Sequence, residues 1–302
     1  YGFYGFLIAE LTLALSGSFI SGADSALLYD SLIQLDRQDE YKKVAGRLLS
    51  IGNFSEGVAG ILGGFLALIS LRTTVYVEAC VMLISVPAAL MLFEPVKQQV
   101  DNTEGSIRNI LKIVKYTLHD QVEVKWLTLY ASIVSTSTFT IVWFIQPFLK
   151  SVDWPLALFG IAWAVLQFSV GLFSVFAHRI ETFAGRRISL ISLIYFSSTG
   201  YLLLAIFETQ WAIPILLIFY FVRGINGPVL SDYVNRCVPS DIRATVLSIK
   251  NLISRLMFCI LGPIIGWVND IYGLQDAFLA SGITFVCMGT LSLVGLRKNQ
   301  LL

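Results

Sequence analysis

The 302-residue chain has little charge and few of the residues that carry catalytic chemistry. Asp, Glu, Lys and Arg make up 14% of it, against roughly a quarter in a soluble domain, which excludes a soluble enzyme. Its 21 Lys and Arg balance 20 Asp and Glu to a net charge of +1, so no basic field exists to recruit nucleic acid. Only two histidines occur, His119 and His178, and no H-E-x-x-H, G-x-S-x-G or phosphate-binding glycine loop is present. Enzymatic and ATP-driven functions are therefore disfavoured, and neither a cofactor nor a metal is expected. Cys80, Cys237, Cys259 and Cys287 lack paired spacing and read as small hydrophobes rather than a disulfide framework or a metal knuckle. A basic leader and a cleavage site are also missing ahead of the first apolar stretch, so the chain reads as a piece whose start lies upstream of Tyr1.

What remains is apolar. Hydrophobic residues make up 56% of the chain and the mean hydropathy is +0.75. A bilayer core of ~30 Å needs about 20 apolar residues of helix. Nine such stretches occur, at Phe3–Leu28, Leu48–Ile69, Thr73–Leu92, Trp126–Leu149, Leu156–Ala177, Ile188–Phe207, Trp211–Leu230, Thr245–Val268 and Phe278–Leu296. They are too long for the alternating strands of a β-barrel, so the expected fold class is all-α, a polytopic membrane helical bundle.

The basic residues set an orientation. Alternate gaps hold Arg37, Lys42, Lys43 and Arg47; Lys97, Arg108, Lys112, Lys115 and Lys125; Arg179, Arg186 and Arg187; Arg236 and Arg243; and Arg297 and Lys298. The opposite gaps hold Arg72 and Lys150 alone, and Arg223, Lys250 and Arg255 fall within spans. By the positive-inside rule the rich gaps are cytoplasmic, which puts Tyr1 outside and Leu302 inside a cell membrane, with a bacterial inner membrane expected. In the long gap after Pro95, Ile107, Ile110, Leu111, Val114 and Leu118 recur at helical spacing, with Arg108, Lys112 and Lys115 elsewhere around the helix. This predicts an amphipathic helix lying on the inner surface and connecting two bundles.

The chain also repeats itself. Ser21-Gly22-Ala23 through Tyr29-Asp30 parallels Arg223-Gly224-Ile225 through Ser231-Asp232. Ser50-Ile51-Gly52-Asn53 parallels Ser248-Ile249-Lys250-Asn251, and Ile61-Leu62-Gly63-Gly64 parallels Ile260-Leu261-Gly262-Pro263. Spans 1 and 2 thus recur as spans 7 and 8 in the same sense across the membrane, a parallel repeat.

With this repeat and a long cytoplasmic gap followed by six spans, the chain resembles the major facilitator superfamily, whose twelve helices form two six-helix halves. The resemblance makes it helices four to twelve. Residues 1–94 would be the rest of the N-terminal half, 95–125 the connecting loop and 126–302 the C-terminal half, with about three further spans ahead of Tyr1. Ala59-Gly60-Ile61-Leu62-Gly63-Gly64 is similar to the Gly-Pro-x-x-Gly-Gly core of the family's antiporter motif, and Gly262-Pro263-Ile264-Ile265-Gly266 is the matching stretch of helix eleven. Glu181-Thr182-Phe183-Ala184-Gly185-Arg186-Arg187 is similar to the Asp-Arg-x-Gly-Arg-Arg loop, with the acid displaced by one position and the first Arg absent. The resemblance assigns conformational roles to Gly60, Gly63, Gly64, Gly185, Arg186, Arg187, Gly262 and Pro263. Leu13 stands where drug antiporters of the family commonly carry an Arg.

An ionisable residue inside a span costs at least ~2.5 kcal/mol on insertion scales and defaults to a pathway or a structural pair. Glu10, Asp24, Glu56, Glu78, Arg223, Lys250 and Arg255 are such residues. Glu10, Gly17, Ser21 and Asp24 share one stripe of span 1 within about 60°. Asp24 and Asp30 are candidates to tie that span to Lys250 or to the cytoplasmic arginines, Glu56 and Arg255 to pair at mid-depth, and Glu78 is interfacial. In the resembling fold Glu10 and Arg223 border the solute cavity. Ser132, Thr136, Phe139, Trp143 and Gln146 form a second stripe that suits either a binding wall or ordinary helix packing. Gln167 and Asn226 add polar contacts.

The function expected is a secondary active transporter that moves a small organic solute by alternating access, as a monomer and with proton-coupled efflux. A proton-coupled uptake symporter and a non-transporting membrane sensor or scaffold are the alternatives.

Overall fold

The computed structural model describes residues 3–20, 23–92, 106–155 and 158–299, and among these it is helical with no strand. The elements are α1 (Phe3–Ile20), α2 (Ala23–Gln34), α3 (Tyr41–Ile69), α4 (Leu71–Leu90), α5 (Ser106–Lys115), α6 (Val122–Ser151), α7 (Phe159–Ile206), α8 (Leu216–Cys237), α9 (Ser240–Tyr272) and α10 (Leu274–Lys298). Among the described residues seven helices are long and apolar enough to cross a membrane, with α1 and α2 taken together as one crossing.

The nine expected spans differ from these seven for two reasons. Spans 5 and 6 are the arms of the single 48-residue helix α7. Straight, it would run ~72 Å, more than twice a bilayer core. Instead the backbone breaks at Gly185 (φ 78°, ψ 162°), a left-handed conformation that glycine adopts without a Cβ penalty. Phe173 and Phe196 would lie ~35 Å apart in a straight helix. Both rings meet Phe221, at centroid distances of 5.0 and 5.9 Å, so the chain doubles back between them. The second span lies in α3, whose 29 residues are long enough to cross but include Lys42, Lys43, Arg47 and Glu56.

The core sits among α6, α7, α8 and α10, where Tyr130, Phe148, Tyr201, Phe219, Phe278 and Phe285 are all buried. Two of the buried tyrosine hydroxyls there bond to backbone: Tyr130 donates to the Leu190 carbonyl and Tyr201 to that of Ser137 at 2.7 Å. Such bonds satisfy polar groups that hydrocarbon could not. By contrast α4 has no buried residue among those described, and Leu83 and Leu90 stand 70% and 83% exposed. Apolar surface of that extent suits lipid rather than water.

The helix expected after Pro95 is present as α5, followed by a π-helical turn over Tyr116–Asp120; residues 95–105 and the side chains of Ile107 and Arg108 lie outside the described residues. Ile113 packs on the main core, whereas Leu111 on the other side is exposed.

Candidate functional site

Two polar regions stand out, one at the basic end of the bundle and one at mid-helix. At the basic end, α2 ends and α3, α6 and α9 begin. Between α2 and α3 the Arg37 guanidinium forks onto Glu40 at 2.7 and 3.1 Å, and that bond holds the carboxyl below its ordinary range. Lys42, on the first turn of α3, reaches Glu181 of α7 at 3.0 Å and Asp232 of α8 at 3.3 Å. Asp232 is 1% exposed and receives a second cation from its own helix, Arg236 at 2.8 Å. Tyr233 donates to Glu181 at 2.6 Å, and the Lys42 ammonium lies over its ring. On the other side of this end, Arg243 of α9 reaches Asp30 of α2 at 2.9 Å, and Ser240 donates to the same carboxylate at 2.7 Å. The Arg243 guanidinium stacks over Tyr29 at 4.1 Å.

These contacts form a reciprocal exchange across the internal repeat. Asp30 corresponds to Asp232 at an offset of 202, and Lys42 to Arg243 at an offset of 201. Each aspartate pairs with the basic residue of the other copy. Asp30 was a candidate for such a tie from the sequence, whereas Asp232, Lys42 and Tyr233 were missed. The repeat itself carried the signal, since a partner for one aspartate implies the mirror partner for its counterpart. Buried pairs of this kind gain little over hydrophobic replacements, but breaking one costs about 3–5 kcal/mol because it strands a charge. They therefore specify which helices meet more than they stabilise the bundle.

Close backbone approach supports the same contact. Ser174 of α7 donates to the Gly46 carbonyl of α3 at 2.9 Å, and a Cβ on Gly46 would collide with the Ser174 carbonyl. A Cβ on Gly57 would lie 2.5 Å from the Phe168 ring. Of the glycines read as an antiporter-like motif, Gly60 meets Trp163 in this way, at 3.2 Å, whereas Gly63 and Gly64 have open space around them. In the matching stretch, Pro263 sits inside the unbroken helix α9 and Gly262 faces Phe258 of its own helix. In the loop motif Gly185 makes the hairpin bend, Arg186 pairs with Glu123 of α6 at 2.8 Å, and Arg187 is exposed.

At mid-helix, α3, α7 and α8 meet. Gly57 of α3 faces Phe168 of α7, Gly227 of α8 faces Leu49 of α3, and Gly224 of α8 faces Val170 and Phe173 of α7. This register brings Glu56, Gln167, Tyr220 and Arg223 to one level. Gln167 is fully buried, and neither its Oε1 nor its Nε2 has a partner among the described residues. The Tyr220 hydroxyl, also buried, has none either, and it lies within the electrostatic reach of both Arg223 and Glu56. An unmade buried hydrogen bond costs about 1–3 kcal/mol per group, so the three such atoms at this junction call for polar partners. Among the described residues no ion pair within 4 Å joins Glu56 to Arg223 or to Arg255, and Glu56 and Arg255 are both exposed.

The remaining candidates are dispersed. Glu10 is exposed on α1, Asp24 lies in the first turn of α2, and Ser21 lies outside the described residues. Arg255 lies against Gly17. Lys250 donates to Ser231 at 3.3 Å, and Asp24 is the charged side chain whose field it senses. Ser132 and Thr136 are buried and donate to the Lys250 and Ser254 carbonyls of α9 at 3.0 and 3.1 Å, which is packing. Further along that stripe Phe139, Trp143 and Gln146 are exposed, and both rings contact Phe258 of α9, a member the sequence did not suggest. Asn226 donates to Ser135 at 2.9 Å, joining α8 to α6. A cavity of about 490 Å³ lies between α7 and α8, lined by Phe173, Phe176, Arg179, Phe183 and Phe221.

Comparison with known proteins adds two findings. Residues 11–261 match the family model described as Major Facilitator Superfamily. A stretch of 150 residues is 27% identical to an uncharacterized MFS-type transporter of Salmonella typhimurium strain LT2, covering 47% of this chain and 35% of that protein. The chain thus spans about a third of the length of the curated relative it matches.

Proposed function

This chain belongs to the Major Facilitator Superfamily, and from that premise we propose that it serves a secondary active transporter that exports a small organic solute in exchange for protons. The observation that carries the reading is the mid-helix junction, where the buried Gln167 amide and Tyr220 hydroxyl lack partners among the described residues and Tyr220 lies in the field of both Arg223 and Glu56, which form no ion pair there. Intramembrane charges of this kind belong by default to a solute or ion pathway. In this reading residues 1–94 are the remainder of the N-terminal half and 126–302 the C-terminal half, joined by 95–125, and the halves rock about the junction. The reciprocal pairs Lys42–Asp232 and Arg243–Asp30 close the cytoplasmic end, and rupture when that end opens. The orientation follows from loop basicity, with Tyr1 outside and Leu302 in the cytoplasm of a bacterial cell.

Glu56 carries the proton in this reading. While Arg223 stands near, the carboxylate has a counter-charge; when rocking takes the cation away, it takes up a proton, so each cycle couples solute to proton movement. Export rather than uptake is supported by the resemblance of residues 59–64 to the antiporter motif. The test is Glu56→Gln in proteoliposomes holding the full-length protein. Solute movement driven by a proton gradient should be lost while solute counterflow without a gradient persists. Gradient-driven transport at the parental rate would refute the assignment.

A further inference from the structure

The junction of α3, α7 and α8 is rich in donors that have no acceptor among the described residues. Arg223 offers five N–H groups in a planar fork matched to a carboxylate. Its guanidinium has no acceptor at hydrogen-bond or ion-pair distance among the described residues, although it is half-buried within α8. One turn earlier on α8, the buried Tyr220 hydroxyl is a free donor, and the Gln167 amide adds two donors and one acceptor, both ends unpartnered. The three lie together by register. Gly224 abuts Val170 of α7, so Tyr220, a turn back on α8, comes level with residues 166–170, where Gln167 lies on the same α7 face as Val170 and Gly171. Gly227 abuts Leu49, so Arg223, a turn back, comes level with residues 53–57 of α3.

We propose that Arg223, Tyr220 and Gln167 form a subsite for the carboxylate group of the transported solute. The inference rests on the transporter reading above and narrows its substrate to organic acids. A carboxylate satisfies the guanidinium fork with two parallel bonds and takes a further bond from tyrosine or amide. The Gln167 carbonyl remains to accept from a hydroxyl or amide N–H beside the acid.

The experiment measures thermal stabilisation of the full-length protein in nanodiscs by acetate, benzoate and succinate, each beside its amide counterpart. At least one acid should stabilise the protein while its amide does not. Losing a charged, bidentate contact should weaken that binding by about 10- to 100-fold in Arg223→Gln. Arg223→Lys, which keeps the charge without the fork, should fall between. Tyr220→Phe and Gln167→Leu, which fit the same space, should each weaken it by about tenfold or less and keep the proposal testable if Arg223→Gln fails to fold. Equal stabilisation by acids and amides, stabilisation by none of the acids, or acid binding that survives in all four variants would overturn the subsite. The stabilising acid, radiolabelled, is then followed by counterflow in proteoliposomes. Binding without counterflow leaves the subsite standing and refutes the transporter reading instead.

Discussion

Replacing Lys42 with methionine keeps the length of the side chain and removes the charge between Glu181 and Asp232. Both carboxylates are largely withdrawn from water, with side-chain exposures of 12% and 1%. Asp232 keeps Arg236 at 2.8 Å and Glu181 keeps the Tyr233 hydroxyl at 2.6 Å, so the loss falls at the low end for a broken buried pair, about 3 kcal/mol. Lys42 belongs to α3 and its partners to α7 and α8, so this cost is borne by the state in which those helices touch. Three kcal/mol is about a hundredfold in an equilibrium constant. A thiol placed by Ser174→Cys in a cysteine-free background, buried under the same contact, reports the opening. Its reaction with an impermeant maleimide from the cytoplasmic side should accelerate by up to about a hundredfold in Lys42→Met, provided opening is fast compared with labelling. Exchanging the other pair, Asp30→Arg with Arg243→Asp, should leave the rate close to that of the parent, whereas Arg243→Asp alone should raise it. An unchanged rate in Lys42→Met would refute the idea that these pairs hold the end shut.

Two further outcomes follow. Gly46→Leu drives a side chain into the Ser174 carbonyl and should destabilise the folded protein by about 1–3 kcal/mol, read as a lower midpoint of thermal unfolding; a midpoint at or above the parental value would contradict the close approach of α3 and α7. Single cysteines at Lys150 and Arg186 should label from opposite sides of sealed vesicles, Lys150 from outside, and labelling from one side alone would reverse the orientation drawn from the basic gaps.

Apolar run length located the crossings, because a bilayer imposes a length that a sequence displays directly. It left the packing of each helix undetermined. Ser132, Thr136, Phe139, Trp143 and Gln146 share a helical face at regular spacing, yet the first two are spent on α9 carbonyls and the others are exposed. Periodicity identifies a face but not its neighbour. A hydroxyl that donates to a carbonyl one turn back on its own helix, as Ser132 does at 2.8 Å, is equally at home against protein or in a cavity. Gly185 was legible as part of a motif, but its positive φ and the doubling back of α7 were not. Gln167 was visible as one more polar residue in an apolar run, and only the register of three helices gives it two unmade bonds.

The repeat separates mechanical parts from chemical ones. At the basic end its two copies carry the same chemistry: Asp30 and Asp232 are both acids, Lys42 and Arg243 both bases, and each pairs across to the other copy. A two-fold arrangement of identical contacts suits a closure that the two halves make and break together. At mid-helix the correspondence inverts. Glu56 and Arg255 occupy equivalent positions at an offset of 199, one acid and one base, while Arg223 corresponds to Ser21. Their surroundings correspond as well: Arg255 lies against Gly17 of α1, and Glu56 acts on Tyr220, near the equivalent point of α8. The same structural position therefore holds opposite charge in the two copies. A site with two-fold charge symmetry would present the same field to a solute in either orientation and could not fix the end carrying an acid group. Opposite charges at equivalent positions give the mid-helix region a polarity across the axis relating the halves. In the subsite proposed above the cation is Arg223, whose counterpart in the first copy is the uncharged Ser21, so a carboxylate would find its partner in one copy and not in the other.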